Sequence, residues 1–506
     1  MKRMNSLRQF FRIKPPTWVA FNLVLTVATR CHASTDIAQF GGTVFLGGDW
    51  DWLPGIDGEG VKSRCEQGLD RLASHGVSRV QFAVTFFWDD IGPLNPPEGF
   101  DFSCKNADLG SYYCYNRFNA TKVSHWCFHR PPFDQMPLDA RSVGCAEVTN
   151  DEIDSFKYHV GSCIQKAVEM GFEDLEVNVR VDDGKSLEGW RNTLLFSPTQ
   201  EYGQFSYETA ILNTIADILV ESVQSSDDVQ LAFTLQGEMG ATIFFFADEW
   251  MDVMDRIRDG IDSQRSEDAP PVKIGIHQNN AKLCGCFQVG FEGPHDEYIA
   301  MLDDMDTSLM DFESIRQLYA SADYLGISAY IPMKSATFDL CDFEGLLERT
   351  DIELSYFNLS LKEITGPFDT RLHYSEFGVG GGSSNSGKTP AVTATQAARY
   401  PYYGIHGKHT CENDPFRMCE CDAMGICPTE NPVREYRRSY FDQFSTYLSQ
   451  GGCRYHNIEV VYVWGTGSWD VLGVYPPDRS WEDPVVIETI RQHNLNATRQ
   501  TVSPLE

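Results

Sequence analysis

The feature that most restricts the fold of this chain is an alternation that runs along its length. Short apolar runs rich in β-branched and aromatic residues are separated by longer stretches of helical periodicity. This order is typical of parallel strands joined by crossover helices. The predicted strands are Thr43–Asp49, Ser78–Phe86, Asp174–Val181, Val229–Gln236, Val272–His277, Tyr324–Tyr330, Arg371–Ser375 and Ile458–Trp464. The predicted helices are Gly60–His75, Asp151–Met170 (capped by Asn150), Tyr207–Val223, Asp248–Ser263, Asp311–Ser321, Val433–Ser449 and Pro484–His493, with a less regular crossover at Phe343–Ile364.

Eight strands with eight crossovers over about 450 residues predict an α/β fold of the (β/α)8 TIM-barrel type. An open, doubly wound sheet would show the same alternation. That architecture often carries a Gly-rich phosphate loop after its first strand, and Gly47-Gly48-Asp49-Trp50 lacks the spacing of such a loop. We therefore expect one barrel domain over residues 34–506.

Two long insertions interrupt this pattern, at about residues 88–149 and 378–432. Both follow a predicted strand, and such connections gather at the C-terminal face of a barrel, where active sites lie. We expect them to form disulfide-stapled walls of a cleft. Zinc binding by the second cysteine cluster is an alternative, although the cluster lacks a pair of CxxC units. The cysteines are Cys104, Cys114, Cys127 and Cys145 in the first insertion, and Cys411, Cys419, Cys421 and Cys427 in the second.

The N-terminus has the pattern of a signal peptide over residues 1–33. Basic residues precede an apolar stretch, Trp18–Ala28, that is too short to span a bilayer, and a small-residue cleavage site ends at Ala33. An uncleaved signal anchor is the alternative. Cleavage would remove Cys31 and leave 14 of the 15 cysteines, an even number that is typical of disulfides in an exported chain. The sequence thus predicts a secreted protein with glycosylation sequons at Asn119, Asn358 and Asn496.

The composition limits the partners of the protein. The chain is 42% hydrophobic, which is enough to bury a sizeable core, and its formal net charge is −31. Such a charge repels nucleic acids and anionic membranes but not a neutral polysaccharide, although it also serves solubility alone. We expect a monomer, because no heptad pattern or exposed apolar repeat is found, and we expect no cofactor.

Two glutamates stand where a barrel enzyme would place its catalytic groups. Glu238 follows the fourth strand in LAFTLQGEMG, and Glu376 follows the seventh in RLHYSEFGVGGG. Hydrolysis of a glycosidic bond needs one carboxyl to protonate the leaving oxygen and another to attack or to activate water. Either residue alone could be an ordinary surface carboxylate, but the two strand ends together favour a catalytic pair.

Around these positions the chain resembles the clan A glycoside hydrolases, which are retaining barrel enzymes, over residues 40 to 495. It looks most like the endo-β-mannanases of family 113. Three segments carry that resemblance: Trp190–Pro198 (WRNTLLFSP) after the third strand, Ala322–Tyr330 (ADYLGISAY) on the sixth, and Ser375–Gly378 (SEFG) on the seventh.

The resemblance implies a role for four residues. Glu376 would be the nucleophile and Glu238 the general acid and then the general base. Tyr330 would donate a hydrogen bond to Glu376, and Trp464 would stack against a sugar ring. The alternatives are a barrel-rim aromatic for Tyr330 and core packing for Trp464.

The chain departs from the clan pattern immediately before the acid/base. Many members have Asn there to bind the sugar 2-hydroxyl, whereas this chain has Gly237, with Gln236 one residue earlier. The 2-hydroxyl partner is therefore left open. Further candidates for substrate binding, each with a structural alternative, are Asp49, Trp50, Trp52, Arg180, Trp190, Arg191, Gln236, Asn279 and His373. No metal site is expected, because His277 and His373 lack an HExxH-like pairing.

These observations predict a secreted retaining hydrolase of β-linked polysaccharide, with endo-β-1,4-mannan as the first substrate and β-glucan as the second. The alternative from another class is a carbohydrate-binding barrel without turnover. An α/β-hydrolase esterase is disfavoured because no GxSxG motif occurs.

Overall fold

The predicted leader, Trp190, Asn119 and most cysteines of the two insertions lie outside the residues that the structure describes. In the computed structural model the described residues are 37–58, 60–90, 123–129, 144–184, 191–224, 226, 228–279, 283–285, 302, 310–380, 393–399, 401, 432–455, 458–465, 470–475 and 481–502.

Eight parallel strands form a closed barrel. Each strand pairs with its neighbours in chain order, and the first pairs with both the second and the last, which closes the sheet. The predicted (β/α)8 fold is therefore confirmed. The strands are β1 Gln39–Leu46, β2 Arg79–Asp90, β3 Asp174–Asp183, β4 Gln230–Gly237, β5 Lys273–Gln278, β6 Tyr324–Ala329, β7 Arg371–Phe377 and β8 Ile458–Val463.

Helices follow the strands as predicted. A π-helical turn at Glu208–Leu212 continues into the third helix, and the sixth crossover is built from three short pieces that begin at Leu340. The long helices are α1 Arg64–Ser74, α2 Asn150–Glu169, α3 Asn213–Val223, α4 Ala247–Asp262, α5 Phe312–Ser321, α6 Gly345–Ser355, α7 Pro432–Ser449 and α8 Pro484–Val502. Among these and the other described helices, none has the length and apolarity needed to cross a bilayer.

Two local predictions were wrong. Strand β1 begins four residues before the predicted Thr43, because Gly41 and Gly42 belong to the strand. A Cβ on Gly41 would lie 2.6 Å from the Tyr462 ring, so this glycine permits close packing between strands rather than ending one. Helix α2 is capped by Thr149 and not by Asn150.

The first insertion begins on the barrel itself. Strand β2 runs on to Asp90 and pairs there with an antiparallel strand, Val123–Cys127, which is fastened by the disulfide Cys127–Cys145. Two further disulfides, Cys65–Cys163 and Cys341–Cys453, join α1 to α2 and the sixth crossover to the segment after α7. The predicted disulfide stapling of this insertion is thus confirmed within its described residues.

Candidate active site

Glu238 leaves the barrel directly after β4 in an unusual backbone conformation. Its φ of 59° lies in the left-handed region that non-glycine residues rarely adopt. The turn is held on both sides: the Glu238 amide donates to the His277 carbonyl at 3.0 Å, and the Met239 amide donates to Gln236 Oε1 at 2.8 Å. Strain of this kind persists only where the surroundings impose it, and it concentrates at functional sites.

Three groups contact the buried carboxylate of Glu238. Asn279 Nδ2 donates to Oε1 at 2.7 Å, and the Ser328 hydroxyl donates to the same oxygen at 2.5 Å. On the other side, a guanidinium nitrogen of Arg191 lies 3.3 Å from Oε2. The Ser328 hydroxyl also contacts Nε2 of the buried His277 at 2.9 Å. Glu238 is therefore held by side chains from three different strand ends.

Glu376 is the next-to-last residue of β7 and is buried, as Glu238 is. The Tyr330 hydroxyl donates to its Oε2, and Arg180 lies 3.4 Å from its Oε1. The Arg180 guanidinium is itself fixed by a hydrogen bond from Nε to Thr85 Oγ1 at 2.9 Å. The predicted contact between Tyr330 and Glu376 is present.

The two carboxylates face each other across the barrel mouth. One oxygen of Glu238, one oxygen of Glu376 and one ring nitrogen of His277 lie within 4.8 Å of one another. An oxygen–oxygen distance of at most 4.8 Å fits the roughly 5–5.5 Å carboxyl separation of retaining glycosidases better than the roughly 6.5–9.5 Å of inverting ones.

Two carboxylates this close do not both ionise readily. Burial, and then the charge of Glu238, raise the pKa of Glu376 to about 7. Burial opposes ionisation of Glu238 too, but Arg191 and the Ser328 hydroxyl outweigh it and lower the pKa of Glu238 below its usual range. In the unliganded protein, whenever the pair carries a single proton, Glu376 is therefore the carboxyl that holds it.

Trp464 does not offer the free ring that was expected of it. Only 2% of its surface is exposed, and the Arg180 guanidinium lies 4.6 Å from its ring centroid. Phe45 packs against it edge-on, and Arg180 also lies 4.8 Å from the Phe45 ring. The expected sugar-stacking role is thus corrected: in this structure Trp464 supports Arg180, which in turn contacts Glu376.

The residues after β1 fall into two environments. Trp52 is 4% exposed and packs edge-on against Phe156, so its predicted role as a sugar platform is wrong. Trp50 is 51% exposed and lies beside Arg64, so it stays a candidate platform. Asp49 is also exposed, and it lies 3.5 Å from His129 rather than beside the carboxylate pair.

Gln236 and His373 are buried in the barrel interior, where a substrate would not reach their side chains. Gln236 is fully buried and supports the Glu238 turn through its contact with Met239. His373 bridges two glutamates, with Nδ1 2.8 Å from Glu176 and Nε2 3.1 Å from Glu459. Both predictions are corrected, because polar residues in apolar strands were expected at the mouth but serve the barrel interior.

Sequence reasoning missed three residues of the site. Asn178 on β3 and Ser328 on β6 were not singled out, and His277 on β5 was considered only as a metal ligand. All three interrupt apolar strands, with Asn178 in LEVNVRV and Ser328 in LGISAY. A polar side chain in a strand buried on both faces needs a partner, and this signal could have identified them.

A metal ion is not required to explain the acidic cluster. Both ring nitrogens of His277 already have hydrogen-bond partners, Asn178 and Ser328. A second group of potential ligands, around His125, contains two cysteines that form a disulfide. Both sets are therefore explained by contacts within the protein.

Comparison with known proteins gives structural neighbours only. No protein-family model matches the chain, and no curated protein matches its sequence. A GH113 β-1,4-mannanase structure covers 91% of this chain and 99% of its own at 11% identity, with a TM-score of 0.43. The GH113 β-mannanase from Alicyclobacillus acidocaldarius covers 91% of this chain and 97% of its own at 13% identity, with a TM-score of 0.41. The family 5 xyloglucanase from Paenibacillus pabuli covers 91% of this chain and 98% of its own at 9% identity, with a TM-score of 0.40.

Proposed function

We propose that this protein is a retaining glycoside hydrolase of the clan A type. The observation that carries the proposal is the pair of buried carboxylates at the ends of β4 and β7, with oxygens within 4.8 Å of each other. A strained backbone at Glu238 and a tyrosine that donates to Glu376 support it, because neither is needed for a barrel to fold.

The proposed reaction is a double displacement. Glu376 attacks the anomeric carbon while Glu238 protonates the leaving oxygen, which gives a covalent glycosyl-enzyme. Glu238 then removes a proton from water as the water attacks the same carbon, and Glu376 is released. Tyr330 and Arg180 stabilise the charge that returns to Glu376.

The proton must change place before this cycle starts. It rests on Glu376 in the unliganded protein, whereas bond cleavage needs it on Glu238. Because the two carboxyls share one proton over a short distance, the pair titrates as a unit, and a substrate selects the form that it needs.

For the substrate we propose a β-linked polysaccharide, with endo-acting cleavage of β-1,4-mannan first and β-glucan second. The motif resemblance to family 113 supports mannan, and the net charge of −31 favours a neutral polymer over an anionic one. We also propose secretion and glycosylation. Asn358 and Asn496 are both exposed, as an acceptor must be.

A second candidate is a barrel that binds carbohydrate without turnover. The observation in its favour is the burial of Trp464 beneath Arg180, which leaves its ring unavailable to a sugar. Binding of mannan or glucan oligosaccharides without hydrolysis would support this candidate.

Chemical rescue tests the proposal and assigns the roles. Glu376→Gly and Glu238→Gly are incubated with an aryl β-mannoside or β-glucoside and sodium azide. If Glu376 is the nucleophile, its variant gives the α-glycosyl azide; if Glu238 is the acid/base, its variant gives the β-glycosyl azide through the intact glycosyl-enzyme. Full activity in either variant without azide contradicts the proposal.

A further inference from the structure

A continuous line of hydrogen bonds runs across three strands to Glu238. Asn178 Nδ2 lies 2.9 Å from His277 Nδ1, and His277 Nε2 lies 2.9 Å from Ser328 Oγ. Ser328 Oγ in turn lies 2.5 Å from Glu238 Oε1. Asn178, His277 and Ser328, here called the Asn-His-Ser relay, are all almost completely buried.

The relay has a fixed direction. An amide nitrogen can only donate, so Nδ1 of His277 accepts and the hydrogen of the neutral ring is on Nε2. That hydrogen is donated to Ser328 Oγ, so the serine hydroxyl donates its own hydrogen to Glu238. Burial lowers the pKa of His277 to about 4, so the ring stays neutral over the working range of most hydrolases.

The relay acts on one oxygen of Glu238 only. Oε1 accepts from both Ser328 and Asn279 and is therefore poorly placed to carry a hydrogen of its own. Oε2 has Arg191 at 3.3 Å as its neighbour. The transferable proton of Glu238 consequently belongs on Oε2.

The groups that hold the Glu238 carboxylate come from other strands. Gly237, the residue before it, has no side chain to contact it. Polar and charged groups face Glu238 from four neighbouring strands. Strand β5 and its end supply His277 and Asn279, and β6 and its end supply Ser328 and Tyr330. Strand β7 supplies Glu376, and β3 and the loop after it supply Arg180 and Arg191, of which Arg191 is paired with Asp182.

We propose that the Asn-His-Ser relay is a positioning device that holds Oε1 of Glu238 and so reserves Oε2 to pass the proton to the leaving oxygen. This inference rests on the proposed function.

Ser328→Ala tests the relay through its dependence on the leaving group. For an aryl β-mannoside or β-glucoside with a poor leaving group, such as 4-methylphenol, we expect kcat/KM to fall about 10- to 100-fold. For the 2,4-dinitrophenyl glycoside, which departs without protonation, we expect little change. Loss of the hydroxyl donor also raises the pKa of Glu238, which is the lower of the two in the pair, so the acidic limb of the kcat/KM profile moves upward. Ser328→Thr restores the hydroxyl and should restore both properties.

Ser375→Ala is the matched control. Ser375 is a buried barrel serine next to Glu376, and its hydroxyl has no hydrogen-bond partner among the described residues. It should leave the leaving-group dependence unchanged. An equal loss for good and poor leaving groups in Ser328→Ala, or an unmoved acidic limb, overturns the relay while leaving the hydrolase proposal intact.

A measurement without turnover separates the two proposals. In ¹⁵N-histidine-labelled protein, with His277→Gln to assign the signals, we expect an unprotonated Nδ1 and a protonated Nε2 for His277 at pH 7. A protonated Nδ1 overturns the relay even if the enzyme is active. Absence of hydrolysis in the wild-type protein overturns the proposed function and, with it, the catalytic role of the relay.

Discussion

Gly237 lies directly against Asn178: a Cβ at position 237 would be 2.8 Å from Asn178 Oδ1 and 3.1 Å from the Cβ of Arg180. The two β3 side chains therefore occupy the space beside Glu238 that a side chain at position 237 would need. Packing thus explains why this position is glycine, because Asn178 belongs to the relay and Arg180 contacts Glu376.

An asparagine at position 237 should consequently lower both stability and activity. We expect Gly237→Asn to destabilise the fold by about 1–3 kcal/mol and to lower kcat/KM, because it displaces Asn178 and Arg180. Gly237→Ala, which adds only the Cβ, should show a smaller loss of the same sign. Thermal melts and steady-state kinetics check this. An unchanged Tm with higher activity would show that the pocket has room.

The backbone of Glu238 predicts a conflict between stability and function. Glu238→Gly removes both a left-handed non-glycine residue and one of two facing carboxylates, so we expect Tm to rise while hydrolysis is lost. The gain should be about 1 kcal/mol or more. Differential scanning calorimetry measures it.

The control for this variant is Asp369→Gly, an exposed position with a φ of 57°. It should recover only the part of the gain that comes from the backbone. If the two variants are stabilised equally, repulsion between the facing carboxylates does not lower the free energy of unfolding.

The sequence predicted the barrel because each strand is covered on both faces and so reads as an apolar run. It also predicted both glutamates, since each follows such a run. It could not predict which way an aromatic ring turns at a strand end. Trp50 and Trp52 are two residues apart, yet one is exposed and the other is in the core.

The partners of the buried polar residues also could not be predicted from the sequence. His277 and His373 both stand in apolar strands, but one is neutral within the relay and the other lies between two carboxylates. The difference arises from partners on other strands, at positions such as Glu176 that are far away in the chain. Only the strand register brings them together.

Tyr330 should control the alkaline side of the pH profile. Its hydrogen bond lowers the pKa of Glu376 against the larger effect of burial, which raises it. Tyr330→Phe therefore raises that pKa above about 7, so the pair keeps its single proton to a higher pH, but less of that proton is carried by Glu238, where bond cleavage needs it. We expect the alkaline limb of kcat/KM to move to higher pH, with a loss of about tenfold or more at pH 6.

Tyr374→Phe provides the comparison, because the Tyr374 hydroxyl is buried on the same strand as Glu376 and has no partner among the described residues. Its pH profile should match that of the wild-type protein. A Tyr330→Phe profile that is lowered at all pH values but not displaced would mean that the hydroxyl binds substrate instead.

Deprotonation of His373 should lower the stability of the fold at alkaline pH. Burial alone would lower its pKa, but hydrogen bonds to Glu176 and Glu459 raise it above the ordinary 6.5. A raised folded-state pKa gives stability that is complete below 6.5 and is lost as the pH rises through the folded value. We therefore expect Tm to fall on the alkaline side of neutrality, and His373→Gln to lower Tm and to flatten this fall.

His493→Gln serves as the contrasting control, because burial lowers the pKa of His493. Its contribution is present above 6.5 and is lost as the pH falls, so its removal should leave the alkaline fall in place. Calorimetric scans between pH 5 and pH 10 compare the three proteins. If His373→Gln keeps the wild-type alkaline slope, another group controls it, and the imidazole between Glu176 and Glu459 is neutral in the folded barrel.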